Sequence, residues 1–281
     1  MRPTGFLFTT ALLLTSISAF AQSATDDATT YIRYEHDGAV AYGVLEGETI
    51  HELRGDIFQS AERTGVTVSL GSVAVLTPTA PEKVIAIGFN YRSHLGEQSV
   101  ATEPGVFAKY PTTLVPHDAE ITYYRDASNL HYEGEMVLII GKTAHDVSVE
   151  EANSHIFAVA PGNDVSERDW QANDLQWFRA KGADTFGPVG PVMVAGLDFN
   201  DLLLETRLNG EVMQSQRTAD LIFDTADIVS FVSRYVTLEP GDMIFTGTPG
   251  STSAMKPGDV VEVELEGVGV LRNTVGKKMM R

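Results

Sequence analysis

The sequence predicts an α+β protein that is mainly β. Three features carry this expectation: two unbroken apolar runs of strand length, Met136-Val137-Leu138-Ile139-Ile140 and Ile156-Phe157-Ala158-Val159-Ala160; the dipeptide Asn209-Gly210 set between short strand-like segments; and a single clear amphipathic helix. Runs that short and that apolar fit strands buried on both faces.

The chain of 281 residues opens with Arg2, an apolar stretch over residues 6–17 and the small-x-small sequence Ala19-Phe20-Ala21. This pattern predicts a signal peptide over residues 1–21, with Gln22 as the new N-terminus after cleavage. The apolar stretch is shorter than the roughly 20 residues that span a bilayer. Export to the periplasm or the medium is therefore expected, with no membrane attachment afterwards. Residues 22–78 predict a small N-terminal β subdomain, in which Tyr31-Ile32-Arg33-Tyr34, Ala41-Tyr42-Gly43-Val44-Leu45 and Thr49-Ile50-His51-Glu52-Leu53 read as strands. Asp37-Gly38 and Glu46-Gly47-Glu48 supply the turns.

Pro78 and Pro81 punctuate the chain before the main domain, residues 79–281, which opens on the strand Val84-Ile85-Ala86-Ile87. Asn209-Gly210 predicts a type I′ hairpin. Val261, Val263 and Leu265 alternate with glutamates, as in a strand with one face packed and the other in water. Pro240-Gly241-Asp242 and Pro257-Gly258-Asp259 each turn the chain into a strand. Asp224 caps the expected helix, whose apolar stripe is Ile228, Phe231, Val232 and Tyr235.

Composition then excludes several functions. Lys and Arg number 20 against 38 Asp and Glu, a net charge of −18, and no basic cluster exists to neutralise phosphates, so nucleic acid is excluded as a partner. An anionic membrane surface is disfavoured for the same reason. The absence of cysteine removes disulfides, cysteine nucleophiles and thiolate metal sites, and suits an oxidising compartment. Gly141-Lys142-Thr143 ends like a phosphate-binding loop, but Met136 stands where its first glycine is required. Dinucleotide, α/β-hydrolase and zincin signatures are also missing.

What remains is a set of carboxylates. Glu133 and Glu135 flank Gly134 at the entrance to an apolar strand, where residues i and i+2 share a face. Asp164 follows the next apolar strand and would reach the same sheet end. Three hard oxygen donors without sulfur favour Mg²⁺, Mn²⁺ or Ca²⁺ over zinc or copper. The bland alternative is two exposed glutamates on a strand edge and an Asx turn at Asp164. His94 and Glu97, at i and i+3, would be neighbours on a helical turn, as a general base and its orienter, or else part of a polar surface loop. Lys181, among small residues, could stabilise an oxyanion or simply be solvated.

Six ordered motifs change these weights. They are Gly88-Phe89-Asn90-Tyr91-x-x-His94-x-x-Glu97, Phe107-x-Lys109, Tyr132-Glu133-x-Glu135, Asn163-Asp164-Val165-Ser166-x-Arg168-Asp169-x-Gln171, Lys181-x-x-Asp184-Thr185-Phe186-x-Pro188-x-Gly190-Pro191, and Thr246-Gly247-Thr248-Pro249. Over roughly residues 80 to 275 the chain resembles the fumarylacetoacetate hydrolase family. The likeness is greatest to its branch of acylpyruvate hydrolases and 2-hydroxyhepta-2,4-diene-1,7-dioate isomerases.

The resemblance implies a mixed β-sandwich roll with a small N-terminal β domain, commonly a homodimer. It implies metal ligation by Glu133, Glu135 and Asp164, usually of Mg²⁺ or Mn²⁺. His94 and Glu97 match the family's catalytic dyad, on a segment that in relatives closes over substrate. Lys181 matches the lysine at the substrate's oxo group, Gln171 a polar pocket residue, and Tyr91, Lys109 and Thr248 residues near the bound acid. One departure stands out: relatives follow Gly-Thr-Pro with a small residue and Gly-Val, whereas Gly250-Ser251-Thr252-Ser253 follows Pro249 here.

The function implied is a metal-dependent hydrolase cleaving a C–C bond in a 2,4-dioxo acid of the acylpyruvate type. His94, oriented by Glu97, would activate water, while the metal and Lys181 stabilise the departing enolate. The alternatives are a lyase or isomerase on 2-oxo or 2-hydroxymuconate-type acids (a decarboxylase, hydratase or tautomerase) and a non-catalytic binder of small acids. Binding alone would not need the dyad.

Overall fold

The computed structural model describes residues 28–280, so the signal-peptide expectation lies outside the described residues. Most of the chain is organised around two sheets. The larger has 11 strands, and its path runs from the N-terminal meander (Ser60–Ser69, Thr49–Asp56, Ala39–Glu46, Thr29–His36) through Met193–Ala195, Ile156–Asn163, Gly134–Ile140, Met243–Phe245 and Val84–Gly88 to an edge at Gly105–Lys109. The smaller orders Glu211–Arg217, Leu203–Leu208, Val260–Leu265, Gly269–Val275 and Glu120–Ile121. The N-terminal strands thus continue the main sheet, because Thr29–His36 pairs antiparallel with Met193–Ala195. Among the described residues, no helix is long and apolar enough to cross a membrane.

The apolar run at Met136 fills both sides of the large sheet. Met136, Leu138 and Ile140 pack with Leu204, Val263, Leu265 and Leu271 of the smaller sheet. Val137 and Ile139 face the other way, against Ala158, Ala160, Met243 and Phe245. A strand buried on two faces has no solvent side to mark with polar residues, which is why the run is unbroken. In Val260–Leu265, by contrast, Val261, Val263 and Leu265 are buried while the residues between are only partly so.

Local chemistry accounts for the turns. Asn209 and Gly210 have φ of 52° and 85°, the left-handed pair that a type I′ turn requires. The expected helix forms over Thr225–Ser233, with the Asp224 carboxylate accepting from the Asp227 amide at 2.9 Å. Ile228 and Val232 are buried as expected and Phe231 is half-buried, while Thr225, Ala226, Val229, Ser230 and Ser233 widen the buried face. The helix stops at Ser233, so Tyr235 lies beyond it, exposed, and meets Phe231 edge to face with ring centroids 5.5 Å apart.

Gly134 joins this packing to the carboxylates. It is the residue of the Glu133-Gly134-Glu135 entrance that faces the smaller sheet, and a Cβ there would stand 1.9 Å from Thr206 Oγ1 and 3.3 Å from Val263 Cγ1. Only a residue without a side chain lets the sheets approach this closely. Gly134→Ala is expected to lower unfolding free energy by about 1–3 kcal/mol through overpacking. Denaturant titration checks this, and unchanged stability would mean that the sheets separate freely at this point.

Candidate active site and metal centre

The register of the two long strands assembles the carboxylates. Gly134 pairs with Asn163 and Glu135 with Gly162 in an antiparallel ladder, so Asp164 emerges beside Glu133. The Asp164 amide donates to the Glu133 carbonyl at 2.8 Å, and the Glu133 amide donates to Asn163 Oδ1 at 2.9 Å. Glu133, Glu135 and Asp164 are all buried, and one oxygen from each lies within 4.8 Å of the others. They are a buried cluster, not exposed edge residues.

Three cations answer them. Lys181 Nζ donates to Glu133 Oε2 at 2.5 Å and to Asp164 Oδ2 at 2.7 Å. Lys109 Nζ donates to Asp164 Oδ1 at 2.6 Å and to the Lys181 carbonyl at 2.5 Å. Arg168 donates to Glu133 Oε1 at 2.5 Å. Burial alone would push Glu133 up, but Lys181 and Arg168 outweigh it and hold its carboxyl at about 2. Burial pulls the Lys109 ammonium down despite Asp164. It would do the same to Lys181, where Asp164 and Glu133 reverse the direction and raise it.

Glu135 is the exception. Among the described residues it accepts only the Gly247 amide, at 2.8 Å, and forms no ion pair. Burial, then Asp164 and Glu133, push its carboxyl well above the ordinary range. An uncompensated carboxylate at the focus of two others is the demand that a divalent cation meets. Each carboxylate oxygen carries two lone pairs, so Glu133 and Asp164 keep acceptor capacity beside their ammonium partners. The donor set therefore fits Mg²⁺, Mn²⁺ or Ca²⁺.

The triad opens on a cleft of about 310 Å³ lined by His94, Arg168, Gln171, Lys181 and Thr248 as well as Glu133 and Glu135. Its apolar wall is Phe89, Phe107 and Trp177, with Trp177 edge-on to both phenyl rings. His94 Nδ1 lies 2.6 Å from the Gly250 carbonyl. A carbonyl only accepts, so Nδ1 carries a proton, and of the two neutral tautomers this contact selects the one with its lone pair on Nε2. That nitrogen is 3.9 Å from Glu133 Oε1.

One expected contact needs correction, and two other expected site residues do not line the cleft. Glu97 is exposed and forms no hydrogen bond or ion pair with His94. The helix Arg92–Leu95 ends before it, and Gly96 at φ 59° breaks the turn that would have made them i, i+3 neighbours. Tyr91 is fully buried, with its hydroxyl unpartnered, and is not among the residues lining the cleft. Lys109 is buried and serves as a counter-ion to Asp164 at 2.6 Å. Gln171 and Thr248 do line the cleft, although the Thr248 hydroxyl is committed to the Gly134 carbonyl at 2.8 Å.

Sequence reasoning missed a role for Arg168, the residue that ties the triad to the cleft wall. Arg168 opens the helix Arg168–Asn173, whose capping Glu167 is buried and accepts the amides of Ser128, Asn129 and Trp170. Its position three residues before Gln171 was the available signal, since helical neighbours at that spacing meet. Arg168 indeed donates to Gln171 Oε1 at 2.8 Å.

A two-sheet β fold with a buried acid triad, a free imidazole nitrogen and a lysine around one cleft defines a small-molecule enzyme site. Residues 83–276 match the C-terminal domain family of fumarylacetoacetate (FAA) hydrolase, and residues 30–78 match the Rv2993c-like N-terminal family. The chain belongs to the fumarylacetoacetate hydrolase family. It is 38% identical over 219 residues to the mitochondrial oxaloacetate tautomerase FAHD2A of Bos taurus, covering 72% of this chain and 69% of that one. The 2-hydroxyhepta-2,4-diene-1,7-dioate isomerase structure from Mycobacterium marinum superposes with a TM-score of 0.84 at 37% identity, over 90% of this chain and all of the other. Fumarylpyruvate hydrolase from Pseudomonas aeruginosa, solved with Mn²⁺ and pyruvate, gives 0.66 at 29% identity over 71% and 91%.

The charge balance yields a prediction. In Glu135→Gln the amide still accepts from Gly247 and can donate to Asp164 or Glu133, relieving a buried charge. The metal-free variant is expected to melt higher than the metal-free parent and to lose the rise in Tm that Mg²⁺ or Mn²⁺ gives the parent. Thermal scans with and without metal decide this, and a variant that melts lower would mean that Glu135 has a compensating partner the geometry lacks.

Proposed function

We propose that this protein is a divalent-metal-dependent enzyme that interconverts keto and enol forms of a small 2-oxo acid through an enolate. The observation that carries this reading is His94 Nε2, 3.9 Å from Glu133 Oε1 in a cleft that Glu133, Glu135 and Lys181 also line, with Asp164 buried beside them. Mg²⁺ or Mn²⁺, held by Glu133, Glu135 and Asp164, would polarise the oxo group as a Lewis acid. His94 Nε2 takes a proton from the carbon next to that group, and the electron pair moves toward the oxo oxygen. The Lys181 ammonium stands where negative charge develops on that oxygen, and the buried setting strengthens its pull. Return of the proton to oxygen gives the enol. Phe89, Phe107 and Trp177 give the cleft an apolar wall beside His94.

A second reading is C–C hydrolysis of a 2,4-dioxo acid, supported by the likeness to the fumarylpyruvate hydrolase. It ranks second, the reverse of the order expected from the sequence. Activating water calls for a base strengthened by a carboxylate, and Glu97 stands apart from His94.

Oxaloacetate and acylpyruvates, each with Mn²⁺, with EDTA and with His94→Ala, separate the readings. Ultraviolet loss of the enol without a new acid supports tautomerisation, and release of two acids supports hydrolysis. The His94→Ala loss is expected at about 10²–10⁴-fold. Equal turnover in all arms would dispose of both. We also propose export, supported by the leader pattern of residues 1–21. Mass spectrometry of the exported chain is expected to find Gln22 at its N-terminus, and an intact Met1 would overturn this.

A further inference from the structure

The loop that follows Thr246-Gly247-Thr248-Pro249 reaches the guanidinium on Glu133. Arg168 Nη2 donates to Thr252 Oγ1 at 2.9 Å as well as to Glu133 Oε1. Thr252 Oγ1 in turn lies 2.8 Å from His131 Nδ1, and His131 Nε2 lies 2.8 Å from Asn129 Oδ1. The Asn129 amide nitrogen donates to Asp169 Oδ1 at 3.2 Å, which fixes which end of that amide is oxygen. For the neutral ring, donor and acceptor roles follow from these contacts. Asn129 Oδ1 only accepts, so His131 Nε2 carries the proton. The neutral ring then accepts at Nδ1, and the Thr252 hydroxyl must be the donor. Its lone pairs are left for Arg168.

The loop itself is anchored, so the hydroxyl is not free to turn away. The Met255 amide donates to the Leu130 carbonyl at 2.7 Å, Ala254 bridges to His131, and Ser253 Oγ is 3.1 Å from the Tyr132 hydroxyl. Both Nη2 protons of Arg168 are thereby committed, one to a triad carboxylate and one to Thr252. A guanidinium held at two points cannot rotate off Glu133, and its Nη1 stays on Gln171 at the cleft wall.

We infer that Thr252 and His131 are positioning residues of the active site, acting through Arg168 to fix the charge on Glu133 and the place of Gln171. This inference rests on the reading of the triad as a metal centre open to a 2-oxo acid. Thr252→Val keeps the shape and removes the hydroxyl, whereas Thr252→Ser keeps the hydroxyl. His131→Asn keeps an acceptor near the Nδ1 position, and His131→Leu removes it.

The test titrates Mn²⁺ calorimetrically into each full-length mature variant and measures KM and kcat for oxaloacetate on the loaded enzyme, after thermal melts have shown each variant folded. Thr252→Val and His131→Leu are expected to shift Mn²⁺ affinity or KM by about 5- to 30-fold, the range for losing one charge-assisted hydrogen bond. Thr252→Ser and His131→Asn should stay close to the parent. The double variant Thr252→Val/His131→Leu should be no worse than the worse single one, because both break one chain. Parental metal affinity and KM in folded Thr252→Val, or equal damage from Thr252→Ser, overturns the inference. If Thr252→Val does not fold, the two His131 variants decide by the same criteria. Should the parent bind Mn²⁺ yet turn over no oxo acid, the proposed activity fails while the affinity arm still judges Thr252.

Discussion

The site is governed by the cost of placing three carboxylates in one water-poor spot. Taking even one such ion from water costs several kcal/mol after relaxation, and three together repel one another as well. The fold meets this with Lys181 shared between Glu133 and Asp164, Lys109 behind Asp164 and Arg168 on Glu133. Only Glu135 is left with no cation of its own. The imbalance is local, and it lies where the cleft begins. A protein that needed this cluster only for stability would gain by replacing Glu135 with an apolar residue, since buried ions rarely outperform good packing.

The same requirement explains the glycines around the triad. Gly134 lets the smaller sheet press against the strand that carries both glutamates, and Gly162, paired with Glu135, leaves no room for a Cβ against Val137 and the Phe245 ring. Close packing fixes the strand, the strand fixes the alternation of Glu133 and Glu135, and the antiparallel register brings Asp164 alongside. Rigid elements hold carboxylates against their own repulsion better than loops do.

Much of this was legible because it is local. A two-residue period put Glu133 and Glu135 on one face, the unbroken apolar runs marked central strands, and Asn209-Gly210 marked its turn. The helix is legible through its Asp224 cap and its Ile228 and Val232, whereas Tyr235 lies past the helix end and meets Phe231 on the outside. What was illegible depends on partners far along the chain. Nothing in Phe107-x-Lys109 says that Lys109 will end beneath Asp164, 55 residues on. Spacing suggested that Glu97 meets His94, but a single left-handed glycine between them ends the helix and sends Glu97 to solvent. Arg168 was quoted within a motif yet given no task, since a guanidinium that bridges Glu133 and Thr252 joins residues 35 and 84 positions away.

The loop at Gly250 deserves weight equal to the triad's. Its Gly250 carbonyl sets the tautomer of His94, its Gly250 amide donates to Ser93 Oγ at 2.9 Å, and its Thr252 hydroxyl holds Arg168. The His94 ring and the charge on Glu133, 3.9 Å apart, are therefore both referred to one short segment. Relatives that share the carboxylates but differ in this loop would present the same cation to substrate with a differently placed base and guanidinium. Divergence of reaction within one fold would then need no change in the carboxylates, because a change in this one segment reaches both His94 and the guanidinium on Glu133.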